Sequence, residues 1–225
     1  MVGYEKMSSL SPGSLPLDLQ GFKPSCITVI EGSSGIVPAV LFRLCALAAV
    51  SGRDAIFLDG WNSFNPYAVS GIARSFGAKR EVLSRIHVAR AFTEYQMDAL
   101  VGNLEEALPR WHPSVLAVSY FPTLFSGADG GRLFEPLLSR LKSLTCASGI
   151  ITAVTSFGGS WHCDRLLASS ADRVIRIDER KKLIRINDDG HVLEYVPVPP
   201  GQRRFADFAG GDAYGQDSAI ISHPA

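Results

Sequence analysis

The segment IEGSSGIVPAVLF, residues 30–42, joins an apolar strand to a helix through a Gly/Ser turn. Glycine-rich turns in this setting cradle phosphates: backbone N–H groups and the positive end of the helix point at the anion, and small residues let it approach. Gly32, Ser33, Ser34 and Gly35 supply such a turn, but Pro38 and Ala39 stand where a lysine and a Ser/Thr hydroxyl would be needed. Two readings compete. One is an ordinary strand–turn–helix connection, with Ser33 or Ser34 capping the helix and Pro38 in its first turn. The other is a weak anion site at the helix N-terminus. The turn does not match the G-x-S-x-G elbow of hydrolases, so Ser33 and Ser34 are not read as nucleophiles.

Four further groups carry chemistry by type. SWHCD, residues 160–164, places His162, Cys163 and Asp164 side by side, but sequence neighbours rarely converge as a triad, so it reads as a loop and helix start. Asp59 ends a strand, a position that often serves function in open α/β sheets; a hydrogen-bonding or capping role is favoured here. Arg173, Arg176, Arg180, Lys181, Lys182 and Arg185 form a basic cluster interleaved with Asp172, Asp178 and Glu179. On hairpins that pattern is a solvated face, with weak DNA contact as the alternative, to which Arg203 and Arg204 would add. Cys26, Cys45, Cys146 and Cys163 form no CxxC pair and lack metal-ligand spacing, so they read as reduced core thiols and no metal is expected.

The elements that must position these groups follow from periodicity. The 225 residues suit one α/β domain, and a 46% hydrophobic content is ample for its core. Lys and Arg together number 22, as do Asp and Glu, so no overall field argues for nucleic acid or membrane. The apolar run from Val37 to Val50 is too short to span a bilayer, and the N-terminus lacks a signal-peptide plan, which points to a cytoplasmic protein. Residues 1–20 read as an N-terminal arm, 21–200 as the core domain and 201–225 as a flexible C-terminal tail. Short apolar strands (CITVIE, DAIFLD, RIHVARAF, SVLAVSYF, GIITAVTSF) alternate with helices (PAVLFRLCALAAVS, PYAVSGIARSFG, EYQMDALVGNLEEALPRW, GRLFEPLLSRLKSLTCASG). Pro136 in the last of these suggests a late start or a kink. From residue 172 the pattern switches to strict alternation with a DDG turn, the mark of antiparallel hairpins. The expected fold is α/β: a mostly parallel sheet flanked by helices, with antiparallel hairpins at its C-terminal edge.

The stretch from Gly52 to Phe92, with SFNPY, IARSFG and RIHVARAF in that order, resembles the RecA/RadA recombinase family, above all its archaeal and eukaryotic branch and their paralogs. The resemblance covers roughly residues 21–200. It implies a RecA-type ATPase body with C-terminal hairpins. Carried over position by position, the family's phosphate loop starts at Gly32, its second glycine falls on Val37, its lysine on Pro38 and its magnesium-binding hydroxyl on Ala39. The glutamate that activates water falls on Trp61, the metal-supporting aspartate on Ser119, and the residue sensing the γ-phosphate on Ser156 or Phe157.

These departures remove the charge that would neutralise the phosphates and the ligands that would hold magnesium. The resemblance therefore implies a pseudo-ATPase with a degenerate Walker A motif, no catalytic residues and no cofactor. Trp61 and Phe64 are expected to plug the vacated pocket. The regions where the family grips DNA, FPTLFSGADGGR and TSFGGSWHCDR, are short and carry one arginine each, and the arm shows no Phe-x-x-Ala plug. The expected function is a non-catalytic recombinase paralog that assists or regulates DNA recombination and repair through a protein partner (a recombinase or another paralog), with weak DNA binding at most. The alternatives are a RecA-type ATPase with a rearranged site and a RecA-fold scaffold or signalling protein unrelated to DNA.

Overall fold

A computed structural model describes residues 21–33, 35–78, 80–127, 130–159, 161–180 and 183–196. The proposed arm and tail, together with Ser34, Lys181, Lys182, Arg203 and Arg204, lie outside the described residues.

The strands are β1 (Ile27–Glu31), β2 (Ala55–Asp59), β3 (Ile86–Arg90), β4 (Val115–Ser119), β5 (Ile151–Ser156), β6 (Arg173–Arg180), β7 (Leu183–Asp188) and β8 (His191–Tyr195). The helices are α1 (Ile36–Val50), α2 (Pro66–Ser75), α3 (Glu94–Trp111), α4 (Gly130–Ser148) and α5 (His162–Ser170). Short 3₁₀ helices, Arg80–Arg85 and Phe121–Phe125, precede β3 and follow β4. All eight strands share one sheet in the order β3-β2-β4-β5-β1-β6-β7-β8. The first six run parallel, and β7 and β8 fold back antiparallel. The fold is thus the α/β sheet expected, mostly parallel, flanked by helices and extended by C-terminal hairpins.

The strand order follows from what each strand can bury. β2 and β4 are buried at every position, as central parallel strands covered on both faces must be. β3, half-exposed along its length, takes the edge. One layer packs α1 and α2 on the sheet through Val40, Leu41, Leu44, Phe57 and Val69. The other packs α3, α4 and α5 through Met97, Leu104, Leu116, Phe134 and Leu167. α1 is apolar nearly all round because it fills the space between α2 and the sheet.

Two local expectations are corrected. The N-cap of α1 is Gly35, which has no side chain, so Ser33 does not take that position. Pro38 is the third residue of the helix, where its missing N–H has no intrahelical partner to lose. α4 begins at Gly130 and runs through Pro136 rather than starting late. Cys45 and Cys163 are core thiols, and burial pushes Cys45 up to about 12, but Cys26 is half-buried and Cys146 exposed. No helix among the described residues is long and apolar enough to cross a membrane.

Candidate functional site

An open parallel sheet presents its crevices at the carboxyl ends of its strands, between neighbours whose outgoing helices lie on opposite faces. β1 leads into α1 on one face while its neighbour β5 leads into α5 on the other, so one such crevice lies between β1 and β5. β2 and β4 make a second, since β2 leads to α2 and β4 to α4. The phosphate-loop-like turn and Ser156 stand at the first crevice, Asp59 and Ser119 at the second.

At the first crevice the turn is drawn against the sheet. Gly32 has a positive φ of 152°, and its amide donates to the Ser156 carbonyl at 3.0 Å. A Cβ there would lie 2.3 Å from the Ile177 carbonyl oxygen, so no other residue fits. Facing the turn is Tyr120, held at a φ of 44° just after β4, with its amide donating to the Thr155 hydroxyl at 3.0 Å. Its phenol reaches to 3.5 Å from the Gly32 carbonyl, and burial pushes its pKa up to about 12. Phe157 stacks on Tyr120 with ring centres 4.2 Å apart, and Trp61 meets Phe157 edge-on at 5.3 Å. Three rings therefore bridge the ends of β4, β5 and β2 beside the Gly32–Ala39 turn.

Trp61 and Phe64 play unequal parts here. Trp61 is the outermost ring of the stack and remains 55% exposed. Phe64 belongs to the α1 layer, 4.9 Å from Phe57 and edge-on to Phe42 at 6.0 Å. Of these rings, Tyr120 is the one whose phenol reaches the Gly32 carbonyl. Tyr120 was not singled out in the sequence. The signal available was its position, one residue beyond the strand-ending Ser119.

At the second crevice Asp59 is fully buried and fully engaged. Its carboxylate accepts from the amides of Ser63 at 2.9 Å, Phe64 at 3.0 Å and Trp61 at 3.3 Å, and from the Ser119 hydroxyl at 2.8 Å. The Ser63 hydroxyl stands 3.2 Å away, and Arg90 of β3 donates through Nε at 3.2 Å. Burial alone would raise the carboxyl, but the Ser63 and Phe64 amides, the Ser119 hydroxyl and the Trp61 amide outweigh it and hold the pKa below the ordinary value. Asp59 ties the β2–α2 loop to the ends of β3 and β4. With its acceptor positions occupied, it serves structure, in line with the hydrogen-bonding role favoured above.

Ser156 donates to Asp164 at 2.5 Å and accepts from the Gly158 amide at 2.9 Å. Asp164 is nearly buried in the first turn of α5, and that burial, only partly offset by Ser156, raises its pKa. Cys163 turns away, its thiol 3.7 Å from the Phe125 carbonyl, and His162 packs near Gly131. Ser160 lies outside the described residues; Trp161 is the N-cap of α5, and His162, Cys163 and Asp164, which open the helix, do not converge as a triad. Among the described residues, no group of three or more His, Cys, Asp or Glu could hold a metal ion.

The hairpin arginines are mostly spent on internal pairs. Arg176 binds Glu31 at 2.8 Å, Arg185 lies 3.7 Å from Glu194, and Arg173 is bidentate to Asp188. Arg180 is exposed and has no pair among the described residues. The carboxyl edge also carries a set of exposed rings: Trp61, Tyr67, Phe92, Tyr95 and Trp161. No family model matches the chain, and no curated protein matches it.

Proposed function

We propose that this chain is a non-catalytic RecA/RadA-like protein, a recombinase paralog that acts in DNA recombination and repair by binding a protein partner rather than by turning over nucleotide. The parallel core extended by C-terminal hairpins has the layout that the resemblance implies. The observation that carries the reading is the ring stack of Tyr120, Phe157 and Trp61 beside the Gly32–Ala39 turn. Rings occupy the ground where a nucleotide site needs charge and open space. The one buried carboxylate at the second crevice, Asp59, is saturated by the protein's own donors. The exposed rings on the same edge favour a partner, since aromatic residues concentrate at protein interfaces. DNA contact at the hairpin is secondary, because Arg173, Arg176 and Arg185 are already paired.

Two measurements test this reading. Calorimetry with ATP and magnesium is expected to show no binding tighter than about 1 mM, roughly −4 kcal/mol; micromolar binding would put the rearranged-ATPase reading first. Affinity capture from the native host, with the captured proteins identified, is expected to return a recombinase or a paralog. Capture of a signalling complex with no recombination protein would move the scaffold reading ahead.

A further inference from the structure

The edge of the sheet opposite the two crevices carries a cavity of its own. It lies at the amino ends of β2, β4 and β5, where α3 and α4 finish, and has a volume of about 350 Å³. That size falls within the range of small-molecule sites, which hold an apolar body while a few polar groups fix its orientation. Leu108, Pro113 and Ile150, all buried, form its apolar wall. Arg53, His112 and Ser148, all exposed, supply its polar groups.

Those three polar side chains make no hydrogen bond or ion pair with any described residue. The carboxylate next to Arg53 in the chain, Asp54, is already taken. Arg85 pairs with one of its oxygens at 3.2 Å and His87 with the other at 3.1 Å. The Arg53 guanidinium therefore keeps its fork of donors for a ligand. His112 caps α3 at a φ of 45°, a left-handed position that glycine would hold without strain. The residue placed there instead carries an imidazole, a second hydrogen-bonding group on the cavity wall. Among the described residues no carboxylate lines the cavity.

This set of groups selects a carboxylate. The guanidinium fork matches its two oxygens. A phosphate carries more charge than one arginine offsets, and it favours helix N-termini, whereas α3 and α4 turn their carbonyl ends to this edge. Those carbonyl ends would draw a cation, but Arg53 repels one. We propose that the cavity between the ends of α3 and α4 binds a small organic acid, its carboxylate on Arg53 and its apolar body against Leu108, Pro113 and Ile150. The site lies at the other end of the strands from the ring stack and does not depend on the partner-binding reading.

The test is a titration of the full chain followed by amide NMR at constant ionic strength. The probes are phenylacetate and three molecules with the same benzyl body: benzylamine, benzyl alcohol and benzyl phosphate. Phenylacetate is expected to bind saturably with a Kd of about 1 mM or below, with the shifts centred on Arg53, His112 and Ser148. The other three are expected to bind about tenfold more weakly or not at all. Arg53→Met, which keeps the stem and removes the fork, is expected to weaken phenylacetate about tenfold or more. His112→Gly keeps the left-handed cap and is expected to weaken it by a smaller factor. Both side chains are exposed, so melting near that of the parent protein is expected and separates lost binding from lost folding. Phenylacetate that does not saturate, a benzyl counterpart that binds as tightly, or an affinity untouched by either variant would overturn the proposal.

Discussion

Asp59 offers the sharpest test of how this edge is held together. In Asp59→Ala, three short hydrogen bonds vanish from a fully buried site: those from the Ser63 amide, the Phe64 amide and the Ser119 hydroxyl. Bonds to a charged acceptor contribute about 1.5–3 kcal/mol each, but the sum is not additive, and the variant no longer has to desolvate a carboxylate. The longer contacts from Trp61 and from partly exposed Arg90 add less. The expected loss is about 3–5 kcal/mol, the range for removing one member of a buried charged network. Against a total stability of about 5–15 kcal/mol that is a large fraction. Urea unfolding followed by circular dichroism measures it, and an unchanged slope confirms that the denatured state is the same.

A pH series adds a second arm. Because the folded carboxyl titrates below its unfolded value, about 3.9, its contribution is present above that value. It is lost as pH falls through the lower folded pKa. Asp59→Asn should therefore be less stable than the parent at pH 7 and show a flatter acid limb. A loss below about 1 kcal/mol for Asp59→Ala, or an acid limb unchanged in Asp59→Asn, would refute the hub role.

Asp164 should behave with the opposite sign: its pKa is raised by burial, so it stabilises below its unfolded value and costs stability as pH rises through the folded one. Asp164→Asn keeps an acceptor for Ser156 and is expected to match or exceed the parent by up to about 1 kcal/mol at pH 7, with the advantage gone by about pH 3, as read by melting at each pH. Gly32→Ala should cost about 2–4 kcal/mol in urea unfolding, because its Cβ would meet the Ile177 carbonyl at 2.3 Å in a backbone region that L side chains rarely adopt. The double change Pro38→Lys with Ala39→Thr should leave calorimetry with magnesium and ATP silent, since the ring stack and the missing acidic groups remain; micromolar binding would show that the stack yields to nucleotide.

The sheet was readable because its signals are local. Apolar runs such as AIFLD and VLAVS need cover on both faces, and alternation after residue 172 needs it on one. The structure caps α2 with Asn65, which accepts from the Tyr67 and Ala68 amides, and α3 with Thr93, which accepts from the Gln96 amide. What failed to show depends on partners distant in sequence. Gly32 lies tight against the Ile177 carbonyl of β6, and no local pattern reports that contact. The hairpin arginines read as a solvated face interleaved with acidic residues, but no local pattern reports that Arg176 finds Glu31 145 residues away. Pro136 suggested a late start or a kink in α4; the late start is excluded, since the helix runs from Gly130 through it with Phe134, Leu137, Leu138 and Leu141 packed in the core. Tyr120 had the right place and no motif. Its role appears only once β4 lies between β2 and β5.

The aromatic content on the inner side of this edge accompanies an uncharged turn. A parallel sheet leaves crevices at its carboxyl edge whatever the sequence, and a crevice empty of ligand either holds water or is filled by side chains. A lysine and carboxylates keep such a space wet and open. Val37, Pro38 and Ala39 give it no reason to stay so, and each ring packed inside contributes about 1.5–3 kcal/mol. Tyr120, 3% exposed, and half-buried Phe157 realise that gain on the inner side. The same reasoning does not extend to Trp61, Tyr67, Phe92 and Tyr95, which lie more than half in water. Rings that far out contribute little to folding, and Trp61, edge-on to Phe157, marks the outer limit of the packed stack.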